Sequence, residues 1–88
     1  MSSAQIKFTL YSRTYCHLCD DMLHALQVLL GPDTYGIEVL DVDADEALVA
    51  QYDELVPVLV GHREGQPAQQ LCHYFLDEAA VRAFIAHS

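Results

Sequence analysis

Positive charge is scarce in this 88-residue sequence: Lys and Arg number 4 against 13 Asp and Glu, a formal net charge of −9. A phosphate-binding face needs clustered cations, so the balance argues against nucleic acid as a partner. It argues against docking on anionic lipid for the same reason. The acidity suits solubility and would steer a positively charged partner. No run approaches the roughly eighteen apolar residues of a membrane span. The opening MSSAQIKFTL lacks a basic segment followed by an apolar stretch and a small-residue cleavage site, so no secretory leader is read there. The expectation is a cytoplasmic monomer, in a compartment that keeps thiols reduced and disfavours a static structural disulfide. Repeats, linkers and low-complexity tracts are lacking, so residues 1–88 read as one domain. Cysteine is sparse too. An odd count of 3 fits a reactive pair plus a bystander better than a disulfide framework.

The hydrophobic share of 52% is enough for a packed core. Ile6, Phe8 and Leu10 alternate with Lys7, Thr9 and Tyr11, the period of a strand. From Cys19 the period changes: Met22, Leu23, Leu26, Leu29 and Leu30 form one helical stripe, ended by GPD at 31–33. YGIEVLDV, 35–42, reads as a second strand. Asp43 with Glu46 offers a capping-box start to a short helix running to about Tyr52. Pro57 opens a third strand, since proline cannot donate to a ladder. AQQLCHYF, 68–75, follows a turn and forms a hairpin with it. Asp77 caps a last helix carrying Val81, Phe84 and Ile85 on one face. The order is βαβαββα, an α/β domain with a mixed four-stranded sheet flanked by helices, its first two strands parallel.

Between the first strand and the first helix stands TYCHLCDD, 14–21. Cys16 falls at the helix N-terminus, where free N–H groups and the dipole favour an anion and lower a thiol's pKa. Cys19 falls one turn on, on the apolar stripe. The asymmetry makes Cys16 the exposed attacking sulfur and Cys19 the shielded resolving one. Arg13 and a protonated His17 favour the thiolate, while Asp20 and Asp21 oppose it. The same pair could be half of a metal site, but zinc and iron–sulfur sites want about four ligands, and only Cys72 or a histidine could add to it. The sulfurs could also merely pack. His17 reads equally as a proton shuttle or as an exposed residue of the helix start. Cys72 reads as a small buried strand residue. Tyr11 and Tyr15 either wall a groove or fill the core. DVDAD, 41–45, begins like a calcium loop but puts Glu46 where that loop needs glycine, so it reads as a capping turn.

The sequence of strand, basic residue, Cys-x-x-Cys, helix, and Val56-Pro57 before a strand resembles the thioredoxin fold, and within it the glutaredoxin-like group. The resemblance covers nearly the whole chain in element order. Arg13 stands where the family has a basic residue three before the first cysteine. Tyr15 stands before the pair, whereas the family's usual tyrosine lies inside it. The resemblance implies that Pro57 is the family's cis-proline beside the disulfide and that the Val56 backbone pairs with a bound thiol substrate. Glutaredoxins commonly follow the last strand with Gly-Gly and a Ser/Thr/Cys-Asp stretch that holds glutathione. Here the region reads LCHYFLDE, without the glycines and with Asp77 at the acidic position. The implied activity is thiol–disulfide exchange through a mixed disulfide, on a disulfide-containing protein or a small thiol. No built-in cofactor is expected, and the electrons come from an external thiol such as glutathione. The alternatives are a non-catalytic interaction module on the same fold and a metal or iron–sulfur carrier.

Overall fold

The computed structural model describes residues 6–31 and 35–86. The expected helix stop at Pro32 and Asp33, and the reading of the first five residues, lie outside that set. The elements are β1 (Ile6–Ser12), α1 (His17–Leu30), β2 (Gly36–Asp41), a short 3-10 turn (Val42–Ala44), α2 (Glu46–Tyr52), β3 (Val58–Arg63), β4 (Gln69–His73) and α3 (Glu78–Ala86). They form one four-stranded sheet in the order β2-β1-β3-β4. β1 pairs parallel with β2 and antiparallel with β3. β3 pairs antiparallel with β4. This is the expected mixed sheet, with a 3-10 turn added before α2.

Alternation along the central strands sends side chains to two separate cores. Phe8, Leu10 and Leu59 face Met22 and Leu26 of α1 and Val81 and Phe84 of α3. Val58 and Val60 face Val42 and Tyr52 on the other side, with Tyr11 packed against them. Tyr11 stacks on Tyr52 with ring centroids 4.5 Å apart. Burial first, then the Tyr52 and Glu38 charges, push the Tyr11 phenol up. Tyr11 therefore belongs to the packing, as one of its two readings held. Gly61 lies under the Phe84 ring, whose carbons stand 2.7–3.0 Å from where a Cβ would sit. At the far end of β3, Arg63 donates to the Phe84 carbonyl near the end of α3, and its guanidinium covers the Phe84 ring. A cation at the carbonyl end of a helix is favoured by the dipole.

Several boundaries differ from expectation. β2 ends at Asp41 because the next three residues tighten into the 3-10 turn. That turn displaces the helix cap: Asp45, not Asp43, caps α2, its carboxylate accepting the Ala47 N–H at 2.8 Å. Asp41 in turn accepts the Asp43 N–H at 2.9 Å, so DVDAD is a pair of capping turns. β4 stops at His73 because Tyr74 takes a left-handed φ of 64°, which no strand accommodates. β4 also carries a bulge. Leu59 pairs with Cys72 and Val60 with Gln70, so Leu71 is an extra residue. Leu71 and Cys72 consequently both pack toward the α1/α3 core, which strict alternation would forbid.

Candidate active site

Three connections converge at one end of the sheet. β1 finishes there and leads to Cys16; β3 begins there after Pro57; β4 finishes there and leads to Tyr74. The register fixes this, since Tyr11 pairs with Val58 and Val58 with His73. Adjacent strands lie about 4.8 Å apart, so the segments that follow them are near neighbours. The Val56–Pro57 bond is cis, as the resemblance implied. Pro57 is buried and Val56 half-buried just outside the ladder. The Pro57 carbonyl accepts the Tyr74 N–H at 2.9 Å, and the Tyr74 hydroxyl donates to the Glu54 carbonyl. The 53–57 and 74–77 segments are thus tied together.

Cys16 is the N-cap of α1, in extended backbone, and its sulfur accepts the Cys19 N–H at 3.1 Å. The first helical N–H groups need acceptors, and here a sulfur fills that place. Cys16 is half-exposed, while Cys19 is 3% exposed on the buried stripe with Met22 and Leu26. The Cα atoms are 5.2 Å apart and the sulfurs are bonded. That separation is ordinary for a disulfide, so the bond forms across one helical turn. Cys19 is therefore shielded, as read from the sequence, while Cys16 is the more accessible of the two but half-buried rather than fully exposed. His17 is the first residue of α1 and exposed. Tyr15 is 99% exposed with a left-handed φ of 61°, which removes it from the core.

Arg13 lies close by in sequence, but its guanidinium is taken. It donates to Asp43 at 3.0 and 3.1 Å and to Asp53 at 2.5 Å. The Asp53 and Asp43 hydrogen bonds hold it firmly protonated. Two carboxylates cancel its field, so any support it gives a Cys16 thiolate is a screened remainder. The expected direct role gives way to a clamp between loops. Asp77 is exposed, and its carboxylate accepts the Ala80 N–H at 3.0 Å at the start of α3. That is the capping role expected of it.

Cys72 is free and half-buried, a correction to the buried residue expected. Its bulged strand lies at the sheet edge, which leaves one side open. Burial pushes its thiol up, against a lowering hydrogen bond from the Asp77 backbone. No group of three or more His, Cys, Asp or Glu arranged to hold a metal ion occurs among the described residues. No helix of the described residues is long and apolar enough to cross a membrane. A cavity of about 960 Å³ lies elsewhere, between the β3–β4 hairpin and α3, lined by Arg63, Pro67, Leu71, Ala80 and Phe84. Neither Cys16 nor Cys19 lines that cavity. Sequence reasoning missed Asp43, Asp53, Glu54 and Tyr74, because nothing local marks an acidic or aromatic loop residue as a partner of a distant one.

These features match known proteins. The solution structure of protein Ne2328 from Nitrosomonas europaea is 34% identical, covering 96% of this chain and 95% of that one, with a TM-score of 0.79. Protein XcR50 from X. campestris is 28% identical over 92% of this chain and 97% of its own, with a TM-score of 0.64. A thioredoxin from Fasciola hepatica, 21% identical over 93% of this chain and 79% of its own, superposes with a TM-score of 0.59 and shows the thioredoxin fold. No curated protein matches the sequence. The model of the glutaredoxin-like domain (DUF836) matches residues 7–86. With that match spanning both cysteines, the cis-proline and all but the first residue of the four strands, the chain belongs to the glutaredoxin-like domain family.

Proposed function

We propose that this protein is a thiol–disulfide oxidoreductase working through a mixed disulfide. The observation that carries the proposal is the division of the pair: a half-exposed Cys16 capping α1 and a 3%-exposed Cys19 at bonding distance behind it. In the reduced protein the Cys16 thiolate attacks one sulfur of a substrate disulfide. A Cys16–substrate disulfide forms, and the other substrate sulfur leaves as a thiolate that takes up a proton. Cys19, deprotonated, then attacks the Cys16 sulfur, forms the intramolecular bond and expels the second substrate thiolate. Two electrons pass from the pair to the substrate. An external thiol, such as glutathione or a reduced dithiol protein, restores the pair by the reverse exchange.

The N–H that Cys16 accepts from Cys19, together with the helix dipole, stabilises negative charge on the attacking sulfur. Val56, outside the ladder beside cis Pro57, offers backbone to an extended substrate, as in the family the sequence resembles. Tyr15 and His17 border the attacking sulfur on either side in the chain and are open to a partner.

Titration against glutathione redox buffers, read by mass, tests the pair directly. A loss and gain of two hydrogens at an intermediate potential supports the reading. Cys16→Ser should abolish exchange, and Cys19→Ser should trap the substrate on Cys16. Full exchange by Cys16→Ser would reverse the roles. A pair that never exchanges with any thiol would leave a binding module on a redox fold.

A further inference from the structure

We infer that the surface around Cys16 selects a disulfide carried on a cationic, apolar protein segment and disfavours the glutathione anion. The inference rests on the redox reading above and specifies the substrate of that same site.

Two observations carry it. The first is an uncovered apolar rim. Tyr15 is 99% exposed, Phe75 69%, Tyr74 40% and Leu18 38%, and all four lie in the loops or helix start at the reactive end. Among the described large hydrophobic residues this exposed, only Val28 and Val39 lie elsewhere. Clustered exposed apolar residues mark interaction surfaces, whereas single ones are normal. The rim is also built. Tyr74 is held by its N–H to Pro57 and its hydroxyl to Glu54, and Phe75 donates its N–H to the His73 carbonyl at 2.7 Å.

The second is charge. All four Lys and Arg lie among the described residues. Lys7 and Arg63 sit at the opposite end of the sheet, where β1 begins and β3 finishes. Arg82 is paired with Glu78 at 3.4 Å. Arg13, the one cation in the loops of the reactive end, is shared between Asp43 and Asp53. Asp20, Glu54 and Asp77 are exposed around the same end. Glutathione carries two carboxylates and one ammonium, so it meets net repulsion here and finds no free cation for its carboxylates. A segment bearing Lys or Arg beside Leu or Phe meets attraction from the acids and contact from the rim.

The test compares three disulfides with the reduced wild-type protein at pH 7 and low ionic strength: glutathione disulfide, neutral 2-hydroxyethyl disulfide, and a peptide disulfide flanked by Lys and Leu. Steering supports an advantage of at least about tenfold for the peptide over glutathione disulfide. The gap should narrow when salt is raised to about 0.5 M, which shortens the range of charge interactions. Phe75→Ala should lower the ratio of peptide to neutral-disulfide rates several-fold. Glutathione disulfide reacting as fast as the peptide, a gap that survives salt, or a ratio unmoved by Phe75→Ala would overturn the inference while leaving the exchange chemistry standing. Failure of even the neutral disulfide to react would remove the redox reading itself, and the inference with it.

Discussion

Arg13 bridges to Asp53 at 2.5 Å across 40 positions of sequence while its fork also holds Asp43. One guanidinium therefore joins the loop after β1, the 3-10 turn and the end of α2. The group is exposed, so solvent screens the attraction and the effect on stability is small. Arg13→Ala should lower the melting temperature slightly at low ionic strength, and the difference should close in high salt. Melting curves of both proteins at two salt concentrations check this. A deficit that does not change with salt would mean the side chain acts by packing.

Gly61 is required by the Phe84 ring. A methyl placed there meets ring carbons at 2.7 and 2.8 Å, closer than van der Waals contact allows. Phe84 lies in the α1/α3 core and cannot move without disturbing Phe8, whose ring centroid is 6.0 Å away. Overpacking of this kind costs about 1–3 kcal/mol. Gly61→Ala should show that loss in urea denaturation with an unchanged slope, and Gly61→Val a larger one.

Tyr74 makes two bonds that can be separated. Tyr74→Phe removes the hydroxyl that reaches the Glu54 carbonyl but keeps the N–H to Pro57. A loss of about 0.5–1 kcal/mol is expected, the usual net worth of a single hydrogen bond. Tyr74→Gly also removes the side chain but relieves the left-handed φ of 64°, so the two changes partly offset. Denaturation of both variants would reveal the offset.

Cys72 should be the slow thiol. Burial, chiefly, raises its pKa, so its thiolate appears only above the ordinary cysteine range. In the reduced protein, iodoacetamide near neutral pH should label Cys16 well before Cys72. The sign for stability follows from the same shift. The folded thiol holds its proton more tightly than the unfolded one. Its contribution is therefore complete below the unfolded pKa and is lost as pH rises through the folded value. Removing the thiol by Cys72→Ala should lessen the alkaline decline in melting temperature.

Much of the arrangement was legible in the residues because local rules and tertiary structure agree there. The apolar period of two at 6–11 and the helical stripe from Cys19 to Leu30 both report burial, and burial is what the sheet and α1 provide. The positions of Cys16 and Cys19 follow from that stripe alone. The rest depended on long-range partners. Asp43 and Asp45 are equally good caps in isolation; Asp45 takes α2 because the 3-10 turn intervenes. Arg13 looks like a thiolate's neighbour until Asp53 arrives from a distant loop. Nothing in QQLCH announces a bulge, because it is set by pairing against Leu59 and Val60. Tyr15 could not be assigned between groove and core, since its left-handed backbone has no sequence signal in a tyrosine.

The extra residue at Leu71 has a consequence for crowded solutions. β4 is an outer strand, and outer strands present unpaired amides that invite neighbouring molecules to add on as further strands. A strand of five residues broken by a bulge offers no continuous straight row for such growth. The same irregularity that turns two apolar side chains inward therefore blunts this flank as a template for fibrous or stacked self-association.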